Sequence, residues 1–263
     1  MMHTIKQYAH VFWSMLRADW IGYKKMIIGA CIDSAIVNAL FIFSAGYIFP
    51  SMGMQSSYGL FTAVTLIVGV ALFDVWPFVA EFVADITGSK TILNLCTLPI
   101  PTWLVFTERA CSFATKASCL SITSIFVSKL VLWNTFSLMT LVSLRFVIFF
   151  ICMQLFIGFF SLIMAALVKD MSRIGMVWVR IVFPLYILGA SQFPWLALKS
   201  FSPYVAYAML LNPFVYLMEG MHSIVLGTDT SLPFSLCLGM TILNTIVCAY
   251  VGITMLKKRL DLP

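Results

Sequence analysis

The sequence predicts an all-α polytopic membrane protein. The expected parts are an N-terminal interfacial helix, six transmembrane helices, and a re-entrant helix pair between the fifth and sixth. Three observations predict it. Hydrophobic residues fill 62% of the 263 positions and charged residues only 10%, where a soluble domain carries about 25%. Mean hydropathy is +1.02. The apolar residues also fall into six runs, each long enough for the roughly 30 Å hydrocarbon core that about 20 helical residues cross. So few charges could not cover a soluble fold of this size, and a chain this rich in apolar and aromatic residues is not disordered.

The elements follow in order along a single transmembrane domain, 1–263. Residues 1–25 read as an amphipathic helix lying in the interface. His3, Gln7, His10, Ser14 and Arg17 recur at three- to four-residue spacing on one face, and Ile5, Tyr8, Phe12 and Met15 on another. Trp13 and Trp20 suit the headgroup level. No cleavable signal is expected, since the first long apolar run follows Lys24 and Lys25 with no small-residue cleavage site after a short stretch. The six expected spans are 26–49 (closed by Pro50), 58–80 (with Asp74 and Pro77 near its end), 106–127, 142–168, 174–193 and 232–256.

Two connections stand out. The loop 81–107 is the longest expected on the cytoplasmic side. In it Glu81 and Asp85 share a helix face, Gly88 can stop that helix, and residues 91–98 can form a short helix before Leu98-Pro99-Ile100-Pro101. The stretch 200–231 behaves differently. Its apolar parts, 204–211 and 214–226, are too short to span and are separated by Asn212-Pro213, where proline favours a break. Two short apolar helices around a break are the pattern of a re-entrant hairpin.

The basic residues test this topology. With the N-terminus in the cytoplasm, the inner segments hold Lys6, Arg17, Lys24, Lys25, Lys90, Arg109, Lys169, Arg173, Lys257, Lys258 and Arg259, against Lys129 and Lys199 outside. That asymmetry is a strong positive-inside signal. Counting 204–226 as a seventh span would put Lys257-Lys258-Arg259 outside, so parity also favours re-entrance. Both termini are therefore expected on the cytoplasmic side of a multi-pass protein.

The same residues exclude several functions. The net charge of +6 is dispersed at span ends, which argues against nucleic acid. Seven cysteines form no C-x-x-C pair and read as reduced, buried thiols, and three scattered histidines predict no metal site. Gly88-Ser89-Lys90-Thr91 lacks the adjacent Gly-Lys of a phosphate-binding loop and the glycine five positions before it. No nucleotide site, bound cofactor or catalytic residue is expected. Gly189-Ala190-Ser191-Gln192 lacks the second glycine of a nucleophile elbow, and no His-Glu-x-x-His occurs. Of the ionisable residues inside the runs, Asp33 lies eight residues into its span, about 12 Å from its end, where such groups usually pair or line a polar cavity.

This order of elements resembles the permease subunit of ABC-2 type transporters. The most specific stretch is Leu211-Asn212-Pro213-Phe214-Val215-Tyr216-Leu217-Met218-Glu219-Gly220-Met221-His222, with Leu226-Gly227 after it. It is similar to the family's N-P-x-x-Y-x-x-E-(G/A)-x-R…L-G signature, with His222 where the family often has Arg. Leu95 to Pro101 matches the end of the inner loop, Lys116 a basic position in the third helix, and Lys169-Asp170 a pair after the fourth. The resemblance implies ATP-driven export across the cytoplasmic (inner) membrane of an amphipathic, lipid-linked or polysaccharide substrate or a drug. It implies a second copy of this chain or a related permease, forming a pathway with the first, second and fifth helices, on which Asp33, Asn38, Asp74 and Arg180 are candidates. It further implies two separate ATP-binding cassette subunits that carry ATP and Mg and press on Asp85, Gly88, Ser89, Lys90, Thr91, Leu93 and Asn94. Asn212, Pro213, Tyr216, Glu219 and His222 would form an outer gate. An ion-coupled secondary transporter and a membrane assembly factor remain as alternatives.

Overall fold

A computed structural model describes residues 2–228 and 230–260, with side chains from residue 6 onward. His3 and Ile5 of the expected amphipathic faces, and the terminal residues 261–263, lie outside the described side chains. The described residues are mostly helical, with no strand among them. Eleven helices are labelled here: α1 Met2–Tyr23, α2 Ile27–Ser51, α3 Tyr58–Thr87, α4 Thr91–Cys96, α5 Thr102–Val131, α6 Leu144–Leu167, α7 Met171–Ser191, α8 Trp195–Phe201, α9 Pro203–Met209, α10 Pro213–Val225 and α11 Phe234–Arg259. Six of them (α2, α3, α5, α6, α7 and α11) are long and apolar enough to cross a membrane. The chain is thus a multi-pass membrane protein by length and composition of its helices.

Proline explains where these helices deform. The ring of Pro50 would strike the carbonyl of Gly46, and that of Pro184 the carbonyl of Arg180, in a regular α-helix. In both cases that residue sits in a π-helical turn, Ser44–Ile48 or Trp178–Val182, which widens the backbone and relieves the clash. Pro77 is handled by a break at Asp74: the helix ends at Phe73 and restarts at Val75, so Pro77 falls in a first turn, where a missing N–H costs nothing.

That restart corrects the expected end of the second span at residue 80. The helix runs on through buried Phe82 and Val83 to Thr87. At the other end α5 begins directly after Pro101 rather than near 106. The connection expected over 81–107 therefore shrinks to 88–101. Within 200–231 the two expected short helices form as α9 and α10 on either side of Asn212, and a further short helix, α8, precedes them.

Helix α3 is the centre of the bundle: 72% of its apolar window is buried, against 11% for α2 and 22% for α11. It packs on α5, α2, α6 and α10, while α6 packs on α5 and α11, and α1 lies along α5. Small residues set the closest crossings, as membrane helices need. A Cβ on Gly59 of α3 would lie 2.5 Å from the Gly46 Cα of α2. One on Gly158 of α6 would lie 2.3 Å from the Ala110 carbonyl oxygen of α5. The core between them is aromatic. Phe78 and Phe113 lie 4.4 Å apart, and Phe214 sets its edge against Phe160 at 5.1 Å.

Gly158→Val must push α5 and α6 apart, and is expected to cost about 1–3 kcal/mol of stability. A lowered thermal midpoint in detergent would show it. Gly239→Ala, inside α11 where an added Cβ meets nothing within 4 Å, serves as the control and should not lower the midpoint.

Candidate functional site

Helices α2, α3 and α5 wall a groove of about 740 Å³. Gly29, Ala30, Asp33, Ser34, Val37, Asn38 and Phe41 come from α2 at three- to four-residue steps, with Met26 just before it, so they form one face. Leu66, Val70, Phe73, Asp74, Pro77, Phe78 and Glu81 face them from α3, and Phe113, Lys116 and Leu120 from α5. Tyr23 and Lys25 stand at one end. The wall is mostly apolar, with its polar atoms gathered on a few side chains.

The groove brings together three of the four pathway candidates, Asp33, Asn38 and Asp74. It does not include Arg180, which is exposed on the π-helical turn before Pro184. The third span, α5, supplies the remaining wall of this groove. Asp33 and Asp74 make no side-chain hydrogen bond or ion pair among the described residues. Asn38 is 1% exposed. Its Nδ2 donates to Ser34 Oγ at 3.1 Å, and its Oδ1 has no partner. Lys116 is engaged: its Nζ is 3.7 Å from Glu81 Oε2 and 5.1 Å from the Tyr23 ring centroid. Burial, and then the nearby Asp74 charge, pushes the Tyr23 phenol above its ordinary range.

Next to the groove is a second, more polar cavity of about 400 Å³, lined in part by Asp19, Arg109, Ser112 and Asp85. Asp19 of α1 accepts from Arg109 Nη1 at 2.5 Å and from Ser112 Oγ at 2.9 Å, which pins α1 to α5. Glu108, wholly buried, lies 3.6 Å from Arg109 Nε with neither oxygen hydrogen-bonded. The residue pattern singled out none of these partners, because a pairing between helices ninety residues apart leaves no spacing to read.

The chain leaves α3 through Gly88 and enters α4 through Lys90, whose φ is +55°, the left-handed region that disfavours a side chain. Asp85 holds this turn. Its Oδ1 accepts from Ser89 Oγ at 2.5 Å and from the Thr91 backbone N–H at 3.1 Å, and its Oδ2 from that of Ile92 at 2.8 Å. A carboxylate thereby satisfies the free donors of a short helix and complements its dipole. Ile92 is buried beneath, Leu93 is half-buried, and Gly88, Ser89, Lys90, Thr91 and Asn94 are exposed. Burial pushes the Cys96 thiol up, and all seven cysteines are free thiols.

The third polar assembly gathers the outer-gate candidates. Glu219 of α10 is fully buried; its Oε1 accepts from the Trp195 backbone N–H and its Oε2 from that of Leu232, each at 2.9 Å. Asn212 Nδ2 donates to the Leu185 carbonyl at 2.6 Å, and Asn212 Oδ1 accepts from the Phe214 N–H at 3.0 Å. Pro213 follows at the first position of α10, where proline fits best. Tyr216 donates its hydroxyl to the Leu210 carbonyl at 2.8 Å, and burial pushes that phenol up. His222 Nε2 and Thr65 Oγ1 are 2.9 Å apart, tying α10 to α3, and the imidazole stacks on Phe61 at 4.3 Å. Apart from the His222–Thr65 pair, the bonds here satisfy backbone groups at the breaks between helices.

Glu219→Gln tests that knot. Two backbone N–H groups converge on two carboxylate oxygens, whereas an amide offers one oxygen and one NH2, so one donor is left facing another. The expected loss is about 1–3 kcal/mol, read as a lower thermal midpoint and faster proteolysis after Gly227. A glutamine variant as stable as the parent would contradict this account. Comparisons with protein-family models and with curated proteins find no match for the chain, so its function rests on the chemistry of these side chains.

Proposed function

We propose that the chain is the permease subunit of an ATP-driven exporter, the function its likeness to ABC-2 type permeases implies. The observation that carries this reading is α4. It is a short helix with an exposed polar face, clasped by Asp85 and anchored by Ile92. It joins the ends of α3 and α5, which are two of the three walls of the groove. A push on α4 from a partner therefore reaches both walls through two short connections, 88–90 and 97–101. Two ATP-binding cassette subunits would supply that push and hold ATP and Mg, and hydrolysis would belong to them. The groove in turn would take the cargo from the bilayer.

The finer topology belongs to the same proposal. In it α1 lies at the cytoplasmic interface, both termini are inside the cytoplasmic membrane, and α8–α10 form an outer re-entrant gate. The exposed apolar faces of α2 and α7 then meet lipid and a second copy of the chain. The 11% burial of α2 supports this, since such a helix has most of its surface left to cover.

Leu93→Pro removes a backbone donor from α4 and drives a ring into its preceding turn. Co-purification of a cassette ATPase with the tagged chain should fall at least tenfold, while the yield of the folded chain stays within twofold. Undiminished recovery of the ATPase, with ATP-dependent export intact, would remove the coupling role from α4. Topology is checked in a cysteine-free background. Cysteines at exposed Ser56 and Thr230 should react with an impermeant thiol reagent from outside, and one at exposed Ser89 should not. Outside labelling at Ser89 would invert the whole arrangement. Transport that persists without ATP and follows an ion gradient would favour a secondary transporter instead.

A further inference from the structure

We propose that the groove between α2, α3 and α5 binds an amphiphile with a protonated amine head group. The proposal rests on the transport reading for its meaning as a cargo class, but not for the binding itself.

The donor and acceptor inventory of the groove points to this chemistry. Asp33 and Asp74 face it with carboxylates that no described side chain or backbone group satisfies. Asn38 is independent of them. Its amide is 1% exposed, its Nδ2 is taken by Ser34, and its Oδ1 is left bare among the groove residues. A buried polar atom without a partner is unfavourable in a protein interior and more so at membrane depth. All three are acceptors. What they lack is donors, and a protonated amine offers up to three N–H donors with a positive charge.

The other charges of the groove do not fill that role. Lys116 lies 3.7 Å from Glu81 and over the Tyr23 ring, and its charge reaches Asp74 without a hydrogen bond to it. Lys25 is exposed at the end of the groove. Asp33, Asp74 and Glu81 outnumber these two lysines, so the lining has a net negative charge and disfavours an anionic head group. The rest of the wall, including Val37, Phe41, Val70 and Leu120, is apolar and suits an alkyl or aromatic tail. The volume of about 740 Å³ fits a ligand of drug size, whose pockets run to about 300–1,000 Å³. Charge complementarity thus selects the head and the apolar wall selects the tail.

The test uses the purified full chain in phosphatidylcholine nanodiscs with no ATPase present. It is titrated with radiolabelled dodecylamine and dodecanol, and dodecyl sulfate is added as a competitor. The amine should bind saturably and at least tenfold more tightly than the alcohol, and the sulfate should not displace it. Asp33→Asn and Asp74→Asn should each weaken amine binding about tenfold, the usual scale for one charge-assisted hydrogen bond, with the thermal midpoint unchanged. Asn38→Asp should tighten amine binding, a gain that unfolding cannot produce. Equal affinity for amine and alcohol, or amine affinity unmoved by both Asp→Asn variants, overturns the proposal. Either result leaves the attachment of a cassette ATPase untouched, and loss of that attachment leaves amine binding untouched, so the two readings fail separately.

Discussion

The two oxygens of Glu219 each accept one backbone N–H, from Trp195 at the start of α8 and from Leu232 just before α11. The stretch between α7 and α11 is broken into three short helices, and every break leaves backbone groups without their helical partners. Such groups are costly when buried, so a buried break is tolerable only if a side chain closes it. Asn212 closes the one at Leu185, and the Trp195 indole donates to the Ala206 carbonyl at 2.7 Å. The same rule holds at the edges of the bundle. Lys129 donates to the Trp133 and Phe136 carbonyls after α5, and Arg259 to those of Ala165 and Lys169 at the end of α6. The arginine charge also suits the negative end of that helix.

The charged side chains of the chain therefore divide by task. Glu219, Asp85, Lys129 and Arg259 complete the backbone. Asp19 with Arg109, and Glu81 with Lys116, fasten one helix to another. Asp170 closes its own loop, where the Ser172 hydroxyl, helped by Arg173, holds its carboxyl below the usual carboxylate range. Asp33 and Asp74 do none of these things, although placing a carboxylate at membrane depth is expensive. Their location on facing walls of one groove gives that expense a use, and it separates them from Arg180, which sits outside on a widened turn.

Much of the fold was legible because length and hydropathy act over whole helices, and runs of about 20 apolar residues are hard to place elsewhere. The misread boundaries share one cause. Asp74 and Pro77 look like the end of a span, yet a break that restarts the helix two residues before the proline removes its penalty. Phe82 and Val83 then carry the helix onward. The clasp at Asp85 was half legible: Gly88 marks the helix stop, but the left-handed Lys90 leaves no compositional trace. Within the site, Asp33, Asn38 and Asp74 could be singled out as polar residues in apolar runs. Lys116 could be placed in the third helix but not matched to Glu81 and Tyr23, because which helix faces which depends on close crossings such as Gly46 with Gly59. Helix α8 escaped for a different reason: seven residues from Trp195 are too few to show a period.

The pairing of Glu81 with Lys116 also bears on how the chain is made. Helix α3 leaves the ribosome carrying Asp74 and Glu81, while Lys116 lies on a helix that is still unsynthesised. Its flank toward α5, α6 and α10 is likewise bare at that moment, and α2, the earlier helix that packs on it, covers only part of it. During insertion the most enclosed helix of the finished bundle is thus the one with the longest wait for its neighbours. It must be sheltered by the insertion machinery, or stay near the interface with its carboxylates in water, until α5 arrives. The order of synthesis makes the third span the step that commits the second to the membrane.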